Sequence, residues 1–194
     1  MTKIIGLTGG IGSGKTLVAN YYKSLGIPVY IADDEAKQLL ESSEVIAELS
    51  KEFGNTILEN GKISREKISQ IVFSNPEKLS VLNSIIHPKV KKHFSEWILK
   101  HPNSPFVVKE AAILFESGSY KDCDVVITIV APLEDRIQRV MKRDGSDRES
   151  VMKRISNQWT DEQRMEKSDF VIKNITVNET LREAKLVLKK IQNT

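Results

Sequence analysis

The sequence predicts an α/β fold: a five-stranded parallel sheet layered between helices, with a helical insertion and a helical lid. Three observations point to it. The apolar run 4–7 empties into Gly9-x4-Gly14-Lys15-Thr16 and directly into a helix-forming stretch, residues 17–25. Four more short apolar runs, at 27–31, 106–108, 125–130 and 170–172, recur between amphipathic stretches, as in a sheet covered on both faces. An all-helical block, residues 35–104, separates the second run from the third and is too long for a simple crossover.

The first element has a chemical meaning. A strand, the full glycine motif and a helix in that order make a phosphate-binding loop, and the expected architecture is the three-layer P-loop NTPase fold. Glycines let the backbone N–H groups of Gly10, Ile11, Gly12, Ser13 and Gly14 turn around a phosphate, and the helix N-terminus adds its own. Lys15 supplies a mobile positive charge for the β- and γ-phosphates of a nucleotide, and Thr16 a hydroxyl ligand for Mg²⁺. The competing reading is a glycine-rich turn with no ligand. Strand, motif and helix in register argue against it.

With 194 residues, 40% hydrophobic and 28% charged, the chain has an ordinary globular composition and can bury a full core. A net charge of +3 is too small to argue for nucleic acid. No apolar run is long enough to span a bilayer and no leader pattern precedes the first strand, so no membrane partner and a cytoplasmic location are expected. The lone cysteine, Cys123, sits between Asp122 and Asp124, which would raise its pKa and disfavour a nucleophilic thiolate.

Gly26 reads as the stop of the first helix, and Asp33 falls just past the second strand. In parallel sheets ligands gather at the carboxyl ends of strands, so Asp33 is on the side where a carboxylate could take a proton from an attacking hydroxyl. Two alternatives stay open: Asp33 as N-cap of a helix beginning near Asp34, or Asp34 as the chemical group. Within the insertion, Asn60-Gly61 marks a small hairpin, Ser64 starts the helix 65–73, and Asn75-Pro76 starts another that His87-Pro88 is expected to break. His87 at that break is read as a helix-corner residue or as a ligand contact.

Pro132 opens a helix with Ile137, Val140 and Met141 on one side and Arg136, Arg139 and Arg143 on another. Arg139 and Arg143, one turn apart, either reach one anion or belong to a solvated basic face. Residues 144–147 form a hinge-like loop, and Lys153, Arg154 and Arg164 add positive charge beyond it. Ser146-x-x-Glu149, Thr160-x-x-Gln163 and Thr176-x-x-Glu179 are capping patterns that start the last three helices.

Taken together, these motifs resemble the dephospho-coenzyme A kinase family over nearly the whole chain. The loop matches, with Thr16 where the family usually has Ser. Leu25-Gly26-Ile27-Pro28-Val29 with Ala32-Asp33 is similar to the family's second-strand motif, and Gly61-Lys62-Ile63-Ser64-Arg65 and Leu82-x3-Ile86-His87-Pro88 are similar to its helical insertion. Ile113-Leu114-Phe115-Glu116, Arg139-x3-Arg143-Asp144, Gln158 with Arg164, and Ser168-Asp169-x2-Ile172-x-Asn174 complete the pattern. Four positions depart from it: Ile31 stands for a usual Asp, Ala112 for Pro, Arg136 for Gln and Lys37 for Arg.

The resemblance implies phosphoryl transfer from ATP, with Mg²⁺, to the ribose 3′-hydroxyl of dephospho-coenzyme A. It implies Asp33 as general base, Arg65 and His87 in the segments that hold the coenzyme A moiety, and Asn174 near the adenine. Residues 1–34, 105–134 and 168–194 would form the nucleotide-binding core, 35–104 the coenzyme A-binding insertion and 135–167 the lid. A nucleoside or nucleotide monophosphate kinase shares the loop and lid physics but not the His87-Pro88 insertion. A GTP switch would need Asn-Lys-x-Asp, which is missing from the sequence. A catalytically silent nucleotide-binding module would have no use for the intact Lys15, Thr16 and Asp33.

Overall fold

The structure is a computed structural model that describes residues 2–73 and 75–193. It divides into two compact units, Met1–Ile31 with Pro102–Thr194, and Ala32–His101.

The first unit contains the sheet. Its strands are β1 (Lys3–Thr8), β2 (Val29–Ile31), β5 (Phe106–Glu110), β6 (Val125–Val130) and β7 (Phe170–Lys173), in the order β2-β5-β1-β6-β7. All are parallel, with Ile5 opposite Val108 on one side and Val125 on the other. Parallel strands need crossovers, and the helices α1 (Lys15–Ser24), α6 (Leu133–Asp144), α7 (Arg148–Ser156), α8 (Asp161–Glu166) and α9 (Val177–Gln192) belong to this unit. Ile5, Leu7, Val108, Ile127, Ile129 and Ile172 pack with Val18, Tyr22, Ala184 and Ile191 of α1 and α9, which explains the unbroken apolar runs. Two aspartates fix the register at the strand entries. Asp124 accepts the Ile4 N–H (2.6 Å) and returns its own N–H to the Ile4 carbonyl, and Asp169 does the same with Val126 (2.7 Å).

The second unit consists of α2 (Ala32–Leu39), α3 (Ser43–Phe53), the hairpin β3 (Leu58–Glu59) and β4 (Lys62–Ile63), α4 (Arg65–Phe73) and α5 (Pro76–Leu99). Its own core gathers Val45, Leu49, Ile57, Ile68, Val72 and Ile86. Asn60 (φ 50°) and Gly61 (φ 75°) take the left-handed conformations that a two-residue hairpin turn demands, as their pairing predicts. Lys89 of α5 bridges Glu44 (2.7 Å) and Glu48 (2.9 Å) on α3.

Three local expectations need correction. His87-Pro88 does not break the helix: α5 runs unbroken through Pro88. The missing N–H and the ring clash are local costs, and burial of Ile86 before it and Phe94 after it holds both halves in one helix. The cap of α7 is Asp147, whose carboxylate accepts the Ser150 N–H (2.9 Å), and not Ser146, whose hydroxyl instead accepts from Arg154 (3.1 Å). A carboxylate is the stronger acceptor and wins the orphan N–H groups. Finally, α2 starts at Ala32, so Asp33 lies inside its first turn and is not its N-cap.

Because Pro88 is exposed, it contributes ring strain and little packing. Pro88→Ala is expected to stabilise the protein by about 1–3 kcal/mol, read as a rise in the denaturant midpoint with an unchanged slope. A lower midpoint would show that the proline ring is needed where it stands.

Candidate active site

The loop leaves β1 at its carboxyl end and enters α1 at Lys15 through Gly14, which caps the helix in the left-handed conformation (φ 99°). The Ser13 N–H turns back to the Gly10 carbonyl (3.1 Å), closing the loop into a cup. Across a trans peptide the C=O of one residue and the N–H of the next point in opposite directions. Any group that holds a loop carbonyl outward therefore aims the following N–H inward. Asn174, buried just past β7, donates its amide to the Ser13 carbonyl (2.7 Å), which directs the Gly14 N–H. Its other amide atom accepts from the Thr180 hydroxyl (2.9 Å), so the brace is itself held by α9. Arg139 of α6 donates to the carbonyls of Gly12 (3.4 Å) and Asn174 (3.5 Å). Arg136 donates to that of Ile11 (3.0 Å), and the Ile11 N–H goes to the Gln158 side chain (2.9 Å).

Lys15 folds over the cup, with its ammonium on the carbonyls of Gly9 (2.9 Å) and Gly10 (3.5 Å) and 4.0 Å from the Glu110 carboxylate. Glu110 closes β5, opposite Leu7 of β1 and Ile31 of β2. Its carboxylate is buried beside the loop, and it is a site residue that motif reading missed. Its signal was a lone acidic residue at a strand end, which gains meaning only once β5 is known to pair with β1. Thr16, one residue into α1, is exposed, so its hydroxyl is accessible.

The arginines divide. Arg139 reaches the loop, whereas Arg143 is exposed and engaged by Asp144 (2.6 and 3.0 Å). Arg154 joins that carboxylate at 2.9 Å, and the two guanidiniums, Arg143 first, bring the Asp144 pKa down to about 2. Arg136, on the helix side away from Ile137 and Val140, and Arg164, read as added positive charge beyond the loop, both turn inward. Arg136 is buried against Ile11 and Asp161 (3.0 Å), and Arg164 is fully buried. Arg164 bonds Glu116 (2.7 Å) and the Trp159 carbonyl, and Glu116 also accepts the Trp159 N–H (3.0 Å). Trp159 in turn stacks on Phe115 (4° between planes), so Glu116 and Arg164 fasten α8 to the segment after β5. Their positive charge is compensated internally and is not offered to a ligand. Cys123 is inert for the expected outcome and a different leading cause: burial, ahead of Asp122 and Asp124, pushes its thiol up to about 12.

In the second unit, Asp33 stands in the first turn of α2, two residues after Ile31. Asp34 is exposed and paired with Lys37 (2.6 Å). Arg65 is the exposed first residue of α4, and His87 is half-buried in the middle of α5.

Comparison with known proteins bears on the acceptor. The family model described as dephospho-CoA kinase matches residues 3–179. A dephospho-CoA kinase of Fusobacterium nucleatum is 42% identical over 172 residues, covering 88% of this chain and 89% of that protein. Among solved structures, TT1252 from Thermus thermophilus superposes with a TM-score of 0.88 at 35% identity, covering 97% of both chains. The dephospho-CoA kinase from Campylobacter jejuni superposes at 0.71 with 30% identity and 98% of both. Neither a GTP switch nor a nucleoside or nucleotide monophosphate kinase accounts for matches of this extent: the chain belongs to the dephospho-CoA kinase family.

Proposed function

We propose that Lys15, the loop and Asp33 carry out the family's reaction in this chain, moving the γ-phosphoryl of ATP to the ribose 3′-hydroxyl of dephospho-CoA. As a member of this family the chain is an ATP-dependent kinase. In the proposed step a bond forms between the 3′-oxygen and the γ-phosphorus while the bond to the β–γ bridging oxygen breaks. The electron pair leaves with ADP, and the hydroxyl proton goes to a carboxylate of Asp33.

The observation that carries Asp33 is its place in the chain. It follows the carboxyl end of β2 by two residues, and Ile31 of that strand pairs with Glu110, the carboxylate beside Lys15. Asp34, the rival, lies one residue further from the strand, in an exposed pair with Lys37. On leaving the Gly9 and Gly10 carbonyls Lys15 would meet β- and γ-phosphate oxygens, and the Gly12 and Gly14 N–H groups fit charge that develops there. Arg139, already on the loop's outer carbonyls, stays close enough to neutralise the nucleotide, and Asn174 acts by holding the loop.

The residues present fit a Mg²⁺ ion in the way a nucleotide kinase uses one. The accessible Thr16 hydroxyl is a hard oxygen donor at the helix start. Among the described residues no cluster of three or more His, Cys, Asp or Glu could hold an ion without the nucleotide. Thr16 would hold the ion together with ATP, and the chemistry it would supply there is compensation of the negative charge on the nucleotide. In the same reading the second unit, with Arg65 and His87, receives the coenzyme A moiety, and residues 135–167 close over the phosphates and exclude water as a competing acceptor. No helix among the described residues is long and apolar enough to cross a membrane.

Two substitutions test the roles. Lys15→Ala is expected to abolish turnover while circular dichroism stays native; wild-type-like turnover would remove Lys15 from the chemistry. Asp33→Asn is expected to lower kcat by about 10²–10⁴ with ATP binding retained. A loss of only a few-fold would dismiss Asp33 as base and bring Asp34 forward.

A further inference from the structure

Arg136 lies outside the reacting groups named above, yet it meets the loop with both its side chain and its backbone. We infer that Arg136 is a positioning residue for ATP: it sets the peptide between Ile11 and Gly12 so that the Gly12 N–H faces the phosphates, and ties that setting to α8.

Three contacts carry the inference. The Arg136 Nε–H donates to the Ile11 carbonyl (3.0 Å), and by the trans-peptide geometry this turns the next N–H, that of Gly12, into the cup. A Cβ on Gly12 would stand 2.5 Å from the Arg136 carbonyl oxygen, and one on Gly10 would stand 2.0 Å from its guanidinium. The loop and α6 are therefore in contact along both the backbone and the side chain of this one residue. Its Nη1 donates to Asp161 (3.0 Å), the first residue of α8, which lies 3.8 Å from Arg164 of the Glu116 pair.

Ile11 is gripped from its other side as well. Its N–H is taken by Gln158, and its side chain packs on the small core of Ile137, Val140 and Val151 shared by α6 and α7. One loop residue is thus the joint between the nucleotide cup and the helices that follow it. Without the guanidinium, the peptide after Ile11 is free to rotate, because Gly12 (φ 77°) accommodates either orientation. A rotated peptide presents a carbonyl oxygen to phosphate where an N–H should be, so the loss falls on ATP and not on dephospho-CoA. A lysine can give its charge to the Ile11 carbonyl or to Asp161 but lacks the fork that serves both at once.

The inference rests on the assignment of the loop to ATP, and Lys15→Ala tests that assignment separately: turnover surviving in that variant would overturn the assignment, whatever Arg136 does. For Arg136 the test is steady-state kinetics of Arg136→Met and Arg136→Lys with each substrate varied in turn, beside circular dichroism. Arg136→Met is expected to raise KM for ATP about tenfold or more and leave KM for dephospho-CoA within twofold, and Arg136→Lys to raise KM for ATP less. An unchanged KM for ATP, or an equal rise for both substrates, would overturn the inference. If Arg136→Met does not fold, Arg136→Lys decides: a rise confined to ATP supports the positioning role, and wild-type constants or a non-selective loss refute it.

Discussion

The structure depends on one constraint: a peptide that is to offer N–H groups to phosphate must have its carbonyls taken from behind. The loop meets that demand from its own residues only at Gly9 and Gly10, through Lys15 and the Ser13 N–H. The Ile11 carbonyl is held by Arg136, that of Gly12 by Arg139 and that of Ser13 by Asn174. Those donors come from α6 and from the end of β7, more than a hundred residues away in sequence. The strand order β2-β5-β1-β6-β7 is what makes the bracing geometrically available, because it sets β6 and then β7 beside the strand that carries the loop. Glu110 arrives by the same route on the other side, at the end of β5.

The buried polar groups behind the loop follow from this demand. Arg136 and Arg164 would be costly to bury without their half-buried partners Asp161 and Glu116, since an unpaired charge in a core is worth several kcal/mol of destabilisation. Paired, they join α8, the segment after β5 and the loop by directional bonds, which apolar packing alone would not orient. The exposed arginines behave differently. Arg143 and Arg148 sit in solvent-facing pairs with Asp144 and Glu134, and such pairs contribute little to stability and can be exchanged when a ligand arrives.

Much of this was legible in the sequence. The loop, the strand runs, the Asn60-Gly61 hairpin and the Thr160 and Thr176 caps are local signals in which the residue type is itself the cause of the geometry. Pro88 was misread because propensity was weighed without the burial of Ile86 and Phe94 on either side of it. Ser146 was misread because the stronger acceptor, Asp147, stood next to it. The burial of Arg136 and Arg164 is not legible, because helical spacing shows which residues share a side and not what covers that side. Their partners, Ile11 and Glu116, are 125 and 48 residues away. Glu110 needed the strand order before its position had any meaning.

The most direct measurement is ADP release by the purified protein with MgATP, with dephospho-CoA, AMP and adenosine offered in turn as acceptors. The expected result is release that depends on dephospho-CoA and stays at background with the other two. Release driven by AMP or adenosine, or the same background with all three, would contradict the assignment of the loop and the helical unit to dephospho-CoA phosphorylation.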